Sequence, residues 1–445
     1  MTLARRHGNG PALARRLGLF DATMLVMGGM IGSGIFMNPA LVARQVHTPA
    51  LVLGAWVAGG VIALVGAFVY AELANRLPRV GGQYAYLREA FHPLLGFLYG
   101  WVLLLVVQTG GMAAVTVTFA SYFVDLTGAA IPVPVVAFIA LAALTATNCV
   151  GVKSGSAVQS ALMLLKILAI VTVIVAGLCI VAPTSVERHR LGNETISVSL
   201  LSSFGVAMVP VLFAYGGWQT SCFVAGELKD PRRTLPRALV LGVMGVISLY
   251  TAVNFGCVKS LGTENLARTD TPASAVMRLA FGTPGAKVIA LGITVSTLGF
   301  LSQSVLTAPR VYFAMAEDRV FFRQLAWVHP TTRVPVFAII LQSAWTMLIL
   351  LSGSYAQILN YVTAMDWIFF GLTASCLFVL RSRSGSPAQF RMPLHPVSTA
   401  LFCLVCWAVA ANTIYRYPKN TLIGVAILIS GIPAYFIWRR LNADE

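Results

Sequence analysis

Three small residues, Gly32-Ser33-Gly34, lie in the middle of the first long apolar segment, within the stretch Met30-Ile31-Gly32-Ser33-Gly34-Ile35-Phe36. Glycine has no Cβ and relaxes the restraint on backbone angles, so a helix can open at this point. An opened helix inside a bilayer exposes bare N–H and C=O groups, which are tolerated only where they face protein or a polar cavity. The stretch therefore predicts a helix break that can bind a polar ligand.

The composition is that of an integral membrane protein. Hydrophobic residues make up 58% of the 445 residues and charged residues only 10%, against about 25% in an average soluble domain. Mean hydropathy is +0.81. We find no polar stretch long enough to be a soluble domain, so we predict one membrane transport domain over residues 1–445.

Apolar runs of about 20 residues, enough to cross roughly 30 Å of hydrocarbon, predict an all-α protein with twelve membrane-spanning helices. These lie near residues 19–45, 50–76, 93–123, 132–149, 157–182, 199–226, 235–258, 285–315, 334–352, 355–380, 394–413 and 420–438.

An even number of spans puts both termini on one side of the membrane. On that side we count 20 of the 31 basic residues, against 9 on the other. Cytoplasmic loops are enriched in Lys and Arg, so this charge distribution, rather than nucleic acid binding, accounts for the net charge of +16. We predict cytoplasmic N- and C-termini and a location in the plasma (inner) membrane. The histidines fall in loops or at segment ends, which leaves little for a metal or cofactor, and we predict neither.

A second interruption lies in the sixth span, at Phe213-Ala214-Tyr215-Gly216-Gly217-Trp218. One glycine pair alone is also explained by close helix packing. Two interruptions five spans apart instead indicate an inverted-repeat transporter, because an odd number of spans gives the two halves opposite orientations. The repeats cover about 19–182 and 199–380, followed by two accessory helices over about 394–438.

Several motifs resemble the amino acid/polyamine/organocation superfamily of permeases, and within it the L-amino-acid transporter type. The resemblance covers spans one to ten and depends on Gly29-Met30-Ile31-Gly32-Ser33-Gly34-Ile35-Phe36, Tyr70-Ala71-Glu72-Leu73, Phe97-Leu98-Tyr99-Gly100-Trp101, Phe213-Ala214-Tyr215-Gly216-Gly217-Trp218, Glu227-Leu228-Lys229-Asp230-Pro231 and the run from Arg310 to Asp318. It implies a five-plus-five inverted-repeat (LeuT-like) core that moves a free amino acid by alternating access. One departure is Ser302-Gln303, where relatives have Asn-Gly, so eighth-span contacts do not carry over in detail.

The two breaks offer partners for both charged groups of an amino acid. The half-helix after the first break has a positive end suited to the carboxylate, through the N–H groups of Ser33, Gly34 and Ile35 beside Gly32. The half-helices that end at the breaks have a negative end suited to the ammonium group, through the carbonyls of Met30, Ile31, Phe213, Ala214 and Tyr215. These positions also match the substrate site of the family.

Selection among amino acids is expected from Tyr215, Gly216 and Trp218 and from residues of the third, eighth and tenth spans. No acidic residue adjoins either break, which favours a neutral L-amino acid. Asp366 in the tenth span is a possible polar contact, and it leaves open a cationic amino acid or a polyamine. A bond from Asp366 to a neighbouring helix is the alternative. Asp21 and Glu72 lie near the cytoplasmic ends of their spans, where packing or gating is expected.

Lys166 lies midway along the fifth span, where a lysine costs about 2.5 to 3.5 kcal/mol on insertion scales and usually has a partner inside the bundle. A structural role is one interpretation. The resemblance implies another, in which the ammonium group replaces the sodium ion of sodium-coupled relatives between the first and eighth spans. A buried lysine can also release its proton. Ion-independent exchange or facilitation and proton-coupled import therefore both remain open.

Other classes fit the sequence less well. A membrane enzyme would need His, Asp or Cys side chains converging near one membrane face, a channel would lack occlusion, and a receptor would not need paired helix breaks. We predict no catalytic residues. The outer loop near 123–131 has no cysteine, so no disulfide-linked accessory subunit is expected. The predicted partners are the amino acid, the lipid bilayer and, if import is proton-coupled, protons, with the chain acting as a monomer or homo-oligomer.

Overall fold

The computed structural model describes residues 13–182, 198–352, 355–383, 388–416 and 418–441. Within these residues the fold is a bundle of α-helices with one isolated β-bridge, between Leu17 and Leu228. The α-helices, in chain order, are α1 Leu19–Met30, α2 Gly34–Val46, α3 Pro49–Arg76, α4 Gln83–Ala90, α5 Pro93–Val102, α6 Gln108–Thr127, α7 Val133–Val150, α8 Val152–Val175, α9 Val198–Ala214, α10 Pro231–Arg268, α11 Pro272–Thr307, α12 Pro309–Glu317, α13 Val336–Ser352, α14 Tyr355–Arg383, α15 Val397–Arg416 and α16 Pro418–Leu441.

Nine helical stretches in the described part of the chain are long and apolar enough to cross a membrane. The pair α1 and α2, bent by 42° at a short break, makes a tenth. The predicted span near 199–226 begins with α9, and the one near 334–352 ends with α13. Each of these helices has 17 residues. Such a helix rises about 26 Å, slightly less than the roughly 30 Å of hydrocarbon. The protein is thus an all-α, multi-pass membrane protein, and the number twelve stays a prediction.

Several helices extend beyond the predicted apolar runs because their polar ends are helical too. α10 begins at Pro231 because the Asp230 carboxylate accepts a hydrogen bond from the N–H of Arg233 at 3.4 Å, and proline suits the first helical position. Hydropathy does not register such a polar first turn. A π-helical turn at Leu103–Val107 joins α5 to α6, so that both belong to one predicted span.

The bent pair lies at the centre of the bundle. α1 packs against α8, α10, α11 and a 3₁₀ segment, Trp218–Glu227, while α2 packs against α9, α10 and α11. α15 contacts α3 and α14, and α16 contacts α5 and α14. The first break is therefore enclosed by other helices, and its free backbone groups must be satisfied by protein or by a bound molecule.

Candidate functional site at the two helix breaks

The first break separates α1 from α2 at residues 31–33. Ile31 has an extended conformation (φ −78°, ψ 98°), and Ser33 precedes α2 without a side-chain capping bond. The N–H of Phe36 donates to the Ser33 carbonyl at 3.1 Å. The first N–H groups of α2, from Gly34 and Ile35, have no carbonyl partner within their own helix. They give this helix end a positive character that suits an anion.

The second break follows α9, at residues 215–217. Gly217 has a φ of +101°, in the region that favours glycine. Its N–H donates to the Gln219 side-chain carbonyl at 3.0 Å, and its carbonyl accepts from the Thr220 hydroxyl at 2.7 Å. The chain then continues as the 3₁₀ segment rather than as an α-helix. This local geometry explains why the motif requires a glycine before Trp218.

The two breaks contact each other directly. A Cβ built on Gly34 would lie 3.5 Å from the Ala214 Cβ, and one built on Gly29 would lie 2.5 Å from the Gly217 carbonyl oxygen. The Tyr250 hydroxyl of α10 lies 3.0 Å from the Met30 carbonyl oxygen and 3.3 Å from that of Ala214. It thereby joins the ends of α1 and α9. Nothing in the sequence singles out Tyr250, since an isolated tyrosine in an apolar span is usual.

The carbonyls predicted for the ammonium group have protein partners in part. Those of Met30 and Ala214 share the Tyr250 hydroxyl, and that of Phe213 accepts from the N–H of Gly216 at 3.1 Å. A carbonyl oxygen has two lone pairs, so each of these groups can accept a second donor. The site therefore keeps the capacity to hold an ammonium group.

Among the predicted side chains, Tyr215 and Trp218 are buried and Phe213 is 60% exposed. The Tyr215 ring packs against Trp56 and Tyr250, with centroids 5.9 and 5.1 Å apart. Trp218 lines a small apolar pocket beside Gly216. The other lining residues include Ile62, Tyr215, Trp367 and Phe370.

Lys166 lies on α8 with its side chain fully buried. Its ammonium nitrogen donates to the carbonyl oxygens of Gly28 at 3.3 Å and Ile31 at 2.5 Å. A Cβ on Gly299 of α11 would lie 3.2 Å from the same nitrogen. The Ser296 hydroxyl of α11 donates to the Gly32 carbonyl at 3.2 Å. Lys166 thus lies between the last turn of α1 and α11, and the described residues provide no carboxylate that pairs with it.

Asp366 lies on α14, directly before Trp367, whose ring centroid is 5.5 Å from that of Phe370. The Asp366 side chain is partly exposed, and no hydrogen bond or ion pair joins it to another residue in the described ranges. A carboxylate inside a membrane bundle is costly without a partner. The helix-to-helix bond that the sequence left open for Asp366 is thus not seen in the described ranges.

A buried ion pair joins Glu227, the last residue of the 3₁₀ segment, to Arg310. The Arg310 guanidinium donates to both carboxylate oxygens, at 2.8 and 3.1 Å, and neither side chain is exposed. The pair joins the 3₁₀ segment to α12. The sequence placed both residues in family motifs without predicting the pair, because the two are 83 positions apart.

The remaining polar positions bond neighbouring helices. Asp21 accepts from the Ser156 hydroxyl at 3.1 Å, and Glu72 binds Arg381 at 2.5 and 2.9 Å. In α11, where the sequence departs from the family pattern, the Gln303 amide donates to the Thr220 hydroxyl at 2.5 Å. Gln303 therefore holds the 3₁₀ segment against α11.

Interrupted helices whose ends face each other inside an apolar bundle are the arrangement by which membrane transporters hold a solute. Fold and site together define the class as a multi-pass α-helical membrane protein of transporter type. The chain belongs to the amino acid permease family of the amino acid/polyamine/organocation superfamily, which it matches over residues 17–433.

Individual relatives extend over nearly the whole chain. The serine/threonine exchanger SteT of Bacillus subtilis (strain 168) is 31% identical over 443 residues, which cover 98% of this chain and 100% of that protein. The human large neutral amino acids transporter small subunit 2 is 30% identical, with 97% of this chain and 81% of that protein covered. The human cystine/glutamate transporter is 26% identical, with 96% and 85% covered. The family and these relatives are transporters rather than enzymes.

Proposed function

We propose that this protein carries neutral L-amino acids across the plasma (inner) membrane by alternating access, without sodium. The observation that carries this proposal is the direct contact of the two breaks, with the Cβ position of Gly34 3.5 Å from the Ala214 Cβ. The positive end of α2 and the negative end of α9 meet there. An α-amino acid carries one group for each, a carboxylate and an ammonium group.

In the proposed binding mode, backbone groups bind the carboxylate and the ammonium group that all amino acids share. Free N–H groups at Ser33, Gly34 and Ile35 hold the carboxylate, and second lone pairs on the Met30 and Ala214 carbonyls receive the ammonium group. Tyr215, Gly216 and Trp218, which adjoin a small apolar pocket, select among substrate side chains. A neutral substrate fits because no acidic residue adjoins either break. The relatives are named for amino acids with side chains of several kinds, so they support amino acid transport in general.

The proposed architecture is a five-plus-five inverted-repeat core of ten spans followed by α15 and α16. Twelve spans require that α9, with the 3₁₀ segment, and α13 each cross the bilayer. Both termini then face the cytoplasm, in agreement with the distribution of basic residues. The chain acts alone or as a homo-oligomer, without a disulfide-linked subunit.

Lys166 is proposed to replace a coupling sodium ion, because its ammonium nitrogen bonds Gly28 and Ile31 and adjoins Gly299. We expect Lys166→Met to lower the initial uptake rate about tenfold or more. The reason is that two buried carbonyls lose their donor, at about 1 to 3 kcal/mol each. Lys153→Met, at an exposed position of the same helix, is the matched control. A wild-type rate in Lys166→Met would contradict the proposed role.

The test of function is uptake of a panel of labelled amino acids into proteoliposomes. We expect neutral amino acids to be taken up in sodium-free buffer. Dependence on amino acid inside the vesicle identifies exchange. Dependence on acidic external pH that disappears in Lys166→Met identifies proton coupling. A protein that is correctly folded but takes up no amino acid of the panel would refute the proposal.

A second candidate substrate class, cationic amino acids or polyamines, is favoured by Asp366, whose carboxylate lacks a partner in the described residues. If such a substrate is carried, Asp366→Asn lowers competition by arginine or putrescine at least about tenfold, because a hydrogen bond between two charged groups is lost. If the substrate is neutral, as we propose, neither compound competes in wild type. Inhibition of labelled uptake by both compounds, compared between the two proteins, is the measurement.

A further inference from the structure

The segment before α1 is joined to the segment before α10. The N–H groups of Arg16 and Leu17 donate to the Glu227 carbonyl at 2.9 and 3.0 Å, and the N–H of Lys229 donates to the Leu17 carbonyl at 3.1 Å. Leu17 is buried and forms the β-bridge with Leu228. Two stretches that are far apart in sequence are thereby placed side by side, and both are basic.

Six basic side chains, all exposed, make up what we call the basic patch: Arg15, Arg16, Lys229, Arg232, Arg233 and Arg237. Two acidic residues lie in these stretches. Glu227 is buried and pairs with Arg310, and Asp230 caps α10 with its carboxylate, which lies 3.9 Å from the Arg233 guanidinium. No other ion pair holds these side chains within the described ranges. Their charge therefore faces outward and is largely uncompensated.

Apolar side chains are exposed next to the patch. Leu19 and Phe20 begin α1, shortly after Leu17, and are 38% and 56% exposed. Exposed apolar side chains beside exposed basic ones are typical of a surface that lies at the boundary between lipid headgroups and acyl chains. A surface in contact with water alone would expose charged side chains without apolar neighbours. A surface that binds another protein would carry both acidic and basic side chains.

We propose that the basic patch binds the headgroups of anionic phospholipids in the surrounding bilayer. Guanidinium groups match phosphate oxygens through paired hydrogen bonds, and basic clusters adjoining a membrane-spanning helix attract anionic lipid. The proposed topology places the patch on the cytoplasmic face. This inference goes beyond transport, which specifies no lipid.

The experiment measures lipid retention on the purified protein, so it does not depend on transport. Wild type and Arg15→Gln/Arg16→Gln/Arg232→Gln are reconstituted in nanodiscs containing equal phosphatidylglycerol and phosphatidylcholine, and the lipids that remain bound are counted by native mass spectrometry. We expect wild type to retain phosphatidylglycerol with a preference on the order of tenfold. The variant should lose most of this preference, and added salt should lower it in wild type.

The matched control is Arg391→Gln/Arg439→Gln/Arg440→Gln, which removes three exposed arginines elsewhere in the chain. It should keep the wild-type preference. Equal loss in both triple variants would mean that net charge, not this patch, attracts the lipid. Unchanged retention in the patch variant would mean that these arginines serve membrane orientation only. Either result overturns the proposal, whereas failure of amino acid uptake leaves it unaffected.

Discussion

Gly34→Val should weaken amino acid binding by about 100-fold or more. A Cβ at Gly34 points at the second break, 3.5 Å from the Ala214 Cβ, so the two methyl groups of valine fill the space between the breaks. The carboxylate then loses its hydrogen bonds to the free N–H groups of α2. Two such charge-assisted bonds contribute about 1.5 to 3 kcal/mol each, and about 1.4 kcal/mol corresponds to tenfold in affinity. Equilibrium binding of labelled amino acid to purified protein measures the change.

Two controls separate lost binding from lost folding. Gly34→Ala adds only the Cβ, whose nearest neighbours lie at 3.3 to 3.6 Å, and should weaken binding far less. Gly54→Val adds the same bulk in α3, where no heavy atom lies within 4 Å of the Cβ position, and should bind normally. Normal affinity in folded Gly34→Val would mean that the site lies elsewhere.

Glu227→Ala should lower the free energy of unfolding by about 3 to 5 kcal/mol. The substitution leaves the fully buried Arg310 guanidinium without its counter-ion, and an uncompensated buried charge carries a penalty of that size. The pair also holds the 3₁₀ segment against α12, so local unfolding is expected around Glu227 in the variant. Reversible unfolding in mixed detergent and SDS micelles measures the loss.

The double variant Glu227→Gln/Arg310→Met tests whether charge is the cause. Replacing a buried pair by uncharged groups is often neutral, so the double variant should recover much of the loss. Glu264→Ala is the comparison at an exposed pair, since Glu264 and Arg268 are 77% and 73% exposed, and it should change stability little. A double variant as unstable as Glu227→Ala would contradict the explanation.

Features set by local sequence could be predicted. Apolar runs gave the helices of the bundle, and the glycine-rich runs at Gly32 and Gly216 gave the positions where α1 and α9 end, because backbone freedom is a local property. Helix ends were less accurate: α10 starts at Pro231 because of the Asp230 cap, which hydropathy does not register. The short α9 and α13 show why a count of twelve cannot be read from length alone.

Contacts between distant segments could not be predicted. Tyr250 joins Met30 to Ala214, and Glu227 pairs with Arg310, only because particular helix faces meet. A single sequence does not specify the rotation of one helix against another. The direction of a side chain is equally hidden, as with Phe213, which was selected for its carbonyl and whose ring is 60% exposed. The local sequence also contains no signal for the pairing of Leu17 with Leu228.

The most direct test of the central claim is a structure, determined by electron cryo-microscopy, of the protein saturated with the best amino acid from the uptake panel. We expect substrate density between the breaks. Its carboxylate should lie within about 3 Å of N–H groups from Ser33 to Ile35, with its ammonium group beside the Met30 and Ala214 carbonyls. Substrate density elsewhere in the bundle, or in the reverse orientation at the breaks, would contradict it.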